Sequence, residues 1–77
     1  MLYTSLRSFH AVASHGGFSS AARALNISQP TLSTQVKALE MHYNIELFSR
    51  IGRRVRLTPA GRELYKATVR LHQSEAE

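Results

Sequence analysis

Residues 28–43, SQPTLSTQVKALEMHY, read as one helix with two unlike faces. Ser28 offers an N-cap oxygen, and Pro30 is tolerated in a first turn because its missing N–H would have no intrahelical partner there. The spacing predicts a helix over residues 29–43. At about 100° per residue, Leu32, Val36, Leu39 and Tyr43 fall within about 60° of one another, so this apolar stripe is expected to face a core. Pro30, Ser33, Thr34 and Lys37 gather on the opposite side, a slim, polar, singly basic face that is free to touch something else.

Upstream of that helix, Leu6, Phe9, Val12 and Ala13 recur at helical spacing from Thr4 onward, and His15-Gly16-Gly17 supplies a stop. Ser19 and Ser20 offer N-cap oxygens ahead of Ala21, Ala22 and Leu25, which predicts a second helix of about two turns. Asn26-Ile27-Ser28 then turns the chain, since Asn is the non-glycine residue that best tolerates a left-handed backbone. Downstream, residues 47–50 and 54–57 are strand-like, and Ile51-Gly52-Arg53 between them reads as a hairpin turn. Thr58-Pro59 reads as a cap and first-turn proline of a fourth helix, along which Ala60, Leu64, Ala67 and Leu71 make a short heptad-like seam. There is no internal repeat or low-complexity tract, and the chain stops within the helical pattern without a C-cap signal.

The 77 residues are enough for one small domain with a single core. At 43% hydrophobic and 19% charged residues, the composition is that of a folding chain rather than a disordered one. With no cysteine there is no disulfide framework or thiolate metal site, and a reducing cytoplasm suits the chain. The N-terminus lacks an uninterrupted apolar run, and no stretch approaches the roughly 18 apolar residues of a membrane span, so neither export nor embedding is expected. Ten Lys and Arg against five Asp and Glu leave a net charge of +5, which favours a polyanionic partner. The excess is concentrated: between positions 50 and 70, Arg50, Arg53, Arg54, Arg56, Arg62, Lys66 and Arg70 face Glu63 alone.

Two short helices joined by a tight turn, the second presenting small polar side chains, fit a helix-turn-helix whose second helix enters the major groove. The exposed face must be slim enough to reach base edges, and Gln29, Pro30, Ser33 and Thr34 satisfy that. Gln can pair bidentately with adenine, Ser and Thr hydroxyls can meet bases or phosphate, and Lys37 lies one turn further on. A helix pair in any small bundle can give the same pattern. The arginine-rich hairpin beside it tips the balance toward DNA, because such a wing can set Arg53 and Arg54 near a backbone or in the minor groove.

From Phe9 to Gly61 the residues resemble the LysR-type bacterial transcription regulators. The likeness runs in order through Phe9-x-Ala11-Val12-Ala13, Phe18, Ala21-Ala22-x-x-Leu25 and Ser28-Gln29-Pro30-x-Leu32-Ser33-x-Gln35-Val36-x-x-Leu39-Glu40. It continues through Leu47-Phe48-x-Arg50 and Leu57-Thr58-Pro59-Ala60-Gly61. The resemblance implies a mainly α fold, a winged helix-turn-helix with a three-helix core and a β-hairpin wing, followed by a linker helix. On that basis residues 1–58 are the DNA-binding domain, with the helix-turn-helix over about 18–37 and the wing over about 47–57, and residues 59–77 begin a dimerisation helix. An effector-binding domain is expected beyond these residues in the full protein.

By the same resemblance, Gln29, Pro30, Ser33 and the wing residue Arg53 contact bases or grooves, and Ser28, Thr31 and Arg50 contact phosphates. Thr34, Lys37 and Arg54 complete the expected DNA-binding set, and Leu64, Ala67 and Leu71 the expected dimer seam. The sequence departs from the family pattern at two places. Tyr43-Asn44 stands where Leu-Gly is common, Asn being the second choice for a left-handed cap, and Thr34 stands where a long basic residue is frequent.

Rival classes make different demands on the sequence. His10 and His15 are about 140° apart on a helix with no acidic partner, so no metal site is expected and the histidines read as partly exposed surface groups. Glu40, Glu46, Glu63, Glu75 and Glu77 form no spaced acid–base pair, so no catalytic residue is assigned. Glu40 reads as structural. A winged helix used for protein contact would need an apolar face on the third helix, and nonspecific nucleic-acid binding would need only charge. The expectation is a sequence-specific duplex-DNA-binding module of a bacterial cytoplasm, a homodimer, with no cofactor, no membrane partner and no small-molecule effector on this segment.

Overall fold

The computed structural model describes residues 2–51 and 54–76, with side chains described for 3–51 and 54–71. The order is α1 (Leu2–His15), α2 (Phe18–Leu25), α3 (Gln29–Tyr43), β1 (Phe48–Ile51), β2 (Arg54–Leu57) and α4 (Pro59–Ala76). The two strands form an antiparallel hairpin in which Phe48 pairs with Leu57 and Ile51 with Arg54. Helix α1 packs against α2, α3 and α4, and β2 touches α4. This is the winged helix-turn-helix expected from the sequence.

Local chemistry sets most of the boundaries. Gly16 adopts a positive φ of 75° after α1, and Asn26 and Asn44 end α2 and α3 in the left-handed conformation at φ 58° and 53°. Their N–H groups return to the last turn of each helix, satisfying carbonyls that the helix leaves open. The Ser28 hydroxyl accepts the Thr31 N–H at 3.2 Å, and the Thr58 hydroxyl accepts the Gly61 N–H at 3.0 Å, so both expected caps form. The expected cap of α2 does not. Gly17 is the N-cap, in an extended conformation and without a side-chain bond. Helix α2 starts earlier, at Phe18, whose ring belongs to the core, and this draws Ser19 and Ser20 into the first turn.

Phe9, Val12, Ala21, Leu32, Val36, Leu39 and Leu47 lie at the centre of the core, and Phe9, Phe18 and Phe48 make an aromatic cluster with centroids 5.2 and 5.7 Å from the Phe48 ring. Ser8, buried on α1, donates to Gln35 of α3, so the polar groups at that helix contact are paired rather than stranded. Tyr43 departs from the helical wheel. It is 45% exposed, because the core ends one turn earlier and the chain returning after Asn44 supplies Leu47 and Phe48 in its place.

Helix α4 is anchored to α1. The Thr68 hydroxyl donates to the Tyr65 carbonyl and therefore accepts from His10 Nδ1, 2.9 Å away, and the His10 ring stacks on Tyr65 at 5.3 Å. His10 is partly exposed, as expected from the sequence, and is in addition a contact between helices. The expected seam divides along its length: Ala60 and Leu64 pack against the domain's own core, whereas Ala67 and Leu71 are exposed.

Candidate nucleic-acid interface

Helices α2 and α3 and the turn between them present a continuous polar surface at the start of α3. Ser28, Gln29, Pro30 and Thr31 are exposed there, Ser33 is half-buried, and Thr34 and Lys37 follow on the outer face. The Ser28 hydroxyl, while capping the helix, donates to Thr31 Oγ1 at 2.8 Å, and the Ser19 hydroxyl reaches Gln29 Oε1 at 3.4 Å. The caps that build the helix therefore also fix the polar groups at its tip. Ser33, Thr34, Lys37, Ala38 and Met41 border a shallow depression further along the same helix.

The wing stands beside this surface. A cleft of about 440 Å³ is lined by Gly17, Phe18, Ser19, Ser20 and Arg23 of the α2 end, by Gln29, and by Arg50, Arg54 and Val55 of the hairpin. A second, of about 280 Å³, joins Ser33 and Lys37 to Arg50, Phe48 and Glu40. The structure thus brings Gln29 together with Arg50 and Arg54, and Ser33 together with Lys37 and Arg50. Ser28 and Thr31 line neither cleft. Arg53 lies outside the described residues.

Arg50 is held rather than loose. Its guanidinium lies over the Phe18 ring, 4.8 Å from the centroid, an arrangement stabilised by the ring quadrupole. Glu40 lines the second cleft with Arg50, and its carboxylate is already engaged: Oε2 accepts the N–H groups of Leu47 and Phe48 at 2.8 and 3.4 Å. That ties the first strand to the end of α3, as the structural role read from the sequence requires. Among the described residues the ion pair found is Lys66–Glu63 at 3.0 Å on α4, and Arg23, Arg50 and Arg54 form none.

Arg23 and Phe18 were not legible as site residues. In the sequence pattern position 23 is unspecified and Phe18 reads as core. The one available signal was a cation on the outer side of a helix whose inner side is Ala21 and Ala22, and nothing in the sequence says that the wing folds back toward it. Among the described residues no helix is long and apolar enough to cross a membrane.

Comparison with known proteins fits this geometry. The family model for the bacterial regulatory helix-turn-helix protein of the lysR family matches residues 3–62. The RuBisCO operon transcriptional regulator of Allochromatium vinosum is 44% identical over 72 residues, covering 94% of this chain and 24% of that protein. The AhcY transcriptional activator HvrB of Rhodobacter capsulatus is 47% identical over 64 residues, covering 83% of this chain and 22% of that protein. The chain therefore spans about a quarter of the length of these curated relatives. Among solved structures, the BenM DBD in complex with catB site 1 DNA superposes with a TM-score of 0.90 at 37% identity, covering 99% of this chain and 83% of that one. The CbnR DBD–DNA complex gives 0.87 at 33% identity, with 99% and 87% covered. With a family model spanning both helices of the motif, the wing and the start of α4, and with the same fold in these solved domains, the chain belongs to the lysR family of bacterial regulatory helix-turn-helix proteins.

Proposed function

We propose that the chain binds duplex DNA sequence-specifically, as the DNA-binding end of a bacterial transcription regulator acting in the cytoplasm. Helix α3 enters the major groove, and the wing meets the adjacent minor groove or its backbone. The observation that carries this is the slim polar face of α3, meeting through Gln29 a cleft lined by Arg50 and Arg54, which form no ion pair among the described residues, and by no carboxylate. Gln29 and Ser33 read base edges with Pro30 beside them, Thr34 and Lys37 extend the contact, and Ser28, Thr31, Arg50 and Arg54 meet phosphates. Arg53 joins them on its sequence position. A protein-docking surface would need an apolar face here, yet Gln29, Thr31, Thr34 and Lys37 are all exposed.

Selection from random duplexes, followed by salt titrations on the selected and a scrambled duplex, tests the division of labour. Gln29→Ala and Ser33→Ala should each cost about 1–3 kcal/mol on the selected duplex and little on the scrambled one, with the salt slope unchanged. Arg54→Ala should weaken both duplexes alike and lower the slope by about 0.9. Equal losses on both duplexes for Gln29→Ala and Ser33→Ala would mean that α3 does not read sequence, and the charge-only alternative would stand.

We also propose a homodimer through α4, carried by the exposure of Ala67 and Leu71 on one apolar stripe continuing from the half-buried Leu64. Because Leu64 already packs on the domain's core, Leu71 is the side chain to perturb. Leu71→Glu should convert a sedimenting dimer into a monomer that remains folded by circular dichroism. A wild-type monomer at high concentration, or a dimeric variant, would remove the seam.

A further inference from the structure

We propose that Arg23, on the first helix of the motif, seats a phosphodiester of its own on the DNA strand that Arg50 and Arg54 also contact. The proposal rests on the placement of α3 and the wing given for this chain, and adds to it a residue that neither element carries.

The geometry begins with the duplex. If α3 occupies a major groove and the hairpin the minor groove beside it, the sugar-phosphate strand dividing those grooves must cross the space between the two elements. In this structure that space is the 440 Å³ cleft whose walls are the start of α2, Gln29 of α3, and Arg50, Arg54 and Val55 of the wing. Three arginines from three separate elements line it, and its lining includes no carboxylate. Arg50 is fixed over Phe18 at 4.8 Å, which leaves its N–H edges pre-organised, and the Ser19 and Ser20 hydroxyls add small polar groups to the wall.

Arg23 has no competing duty. It is exposed, forms no ion pair among the described residues, and projects from a helix whose packing is done by Phe18, Ala21 and Ala22. A planar guanidinium fork matches two phosphate oxygens, so arginine here both neutralises and orients the strand. Condensed counterions released from that phosphate into bulk solution make the contact visible in the salt dependence.

The test uses the whole chain. Arg23→Gln should retain the wild-type melting temperature, weaken binding to selected and scrambled duplexes alike by about tenfold at low salt, and lower the log–log salt slope by about 0.9. Arg23→Lys should restore the slope and recover only part of the affinity, because an ammonium lacks the fork. Duplexes with a single neutral methylphosphonate, moved along the dividing strand, give a second readout. The wild type should lose affinity at one linkage where Arg23→Gln loses nothing further. An unchanged slope, or methylphosphonate penalties that add in full to Arg23→Gln at every linkage, would overturn the proposal. Failure of the α3 placement would show instead in the Gln29 and Ser33 variants, which do not depend on Arg23.

Discussion

Gly61→Ala should lower the stability of this domain by about 3 kcal/mol, although the substitution puts the best helix former in place of one of the worst. Gly61 lies in the first turn of α4, in helical backbone, so propensity alone would credit alanine with about 1 kcal/mol. The sign is reversed by a neighbour. A Cβ built on Gly61 would stand 2.1 Å from the carbonyl oxygen of Leu47 and 3.0 Å from Leu57 Cδ2. The first of these is backbone and cannot swing aside.

That carbonyl also accepts the Thr58 N–H at 3.0 Å, while the Thr58 hydroxyl donates to the Glu46 carbonyl at 2.6 Å and Glu40 holds the Leu47 N–H. Relieving the overlap therefore pulls apart the junction where α3, the first strand and α4 meet. In a domain of this size about 3 kcal/mol corresponds to a fall of more than about 10 °C in melting temperature. Thermal denaturation of Gly61→Ala checks it. An unchanged or raised melting temperature would show that α4 can move off Leu47 at no cost.

The second large effect is expected at Phe18. Its ring packs edge-on to Phe48 and carries the Arg50 guanidinium on its face. Phe18→Ala should cost about 3–5 kcal/mol, since a ring only 8% exposed is removed and the core can refill the space only in part. Phe18→Leu separates packing from the contact with Arg50. It keeps most of the buried volume and should cost under about 1.5 kcal/mol, yet it removes the ring quadrupole that orders Arg50. DNA affinity should then drop a few-fold on every duplex, because binding must pay to immobilise the arginine. Melting curves and duplex titrations of both variants test this pair of statements. A Phe18→Leu chain with wild-type affinity would show that Arg50 needs no ring beneath it, and a fully stable Phe18→Ala chain would contradict the packing.

Several boundaries were legible because they depend on nearest neighbours. Asn26 and Asn44 accept positive φ, Ser28 and Thr58 carry capping oxygens, and Pro59 suits a first turn, so α3 begins and ends at the residues expected and α4 opens where expected. Residues 54–57 form a strand as their pattern indicates, while the opposite strand is displaced by one residue, to Phe48–Ile51. Ser19 and Ser20 misled because a core demand for Phe18 outweighed a cap.

By itself, then, the sequence determined the helix-turn-helix, the wing, the polar face of α3 and the membership in its family, since each follows from local backbone preference or from an ordered run of residues. The tertiary structure alone decided where the core stops, leaving Tyr43 outside and Leu47 inside, and that Leu64 faces its own domain while Leu71 faces outward. It also decided that Arg23 stands in one cleft with Arg50 and Arg54 of the wing and that Gly61 must lack a side chain. Helical periodicity tells which residues share a face. What that face meets depends on segments tens of positions away along the chain, whose approach is set by the packing of the whole core and leaves no mark in the local pattern.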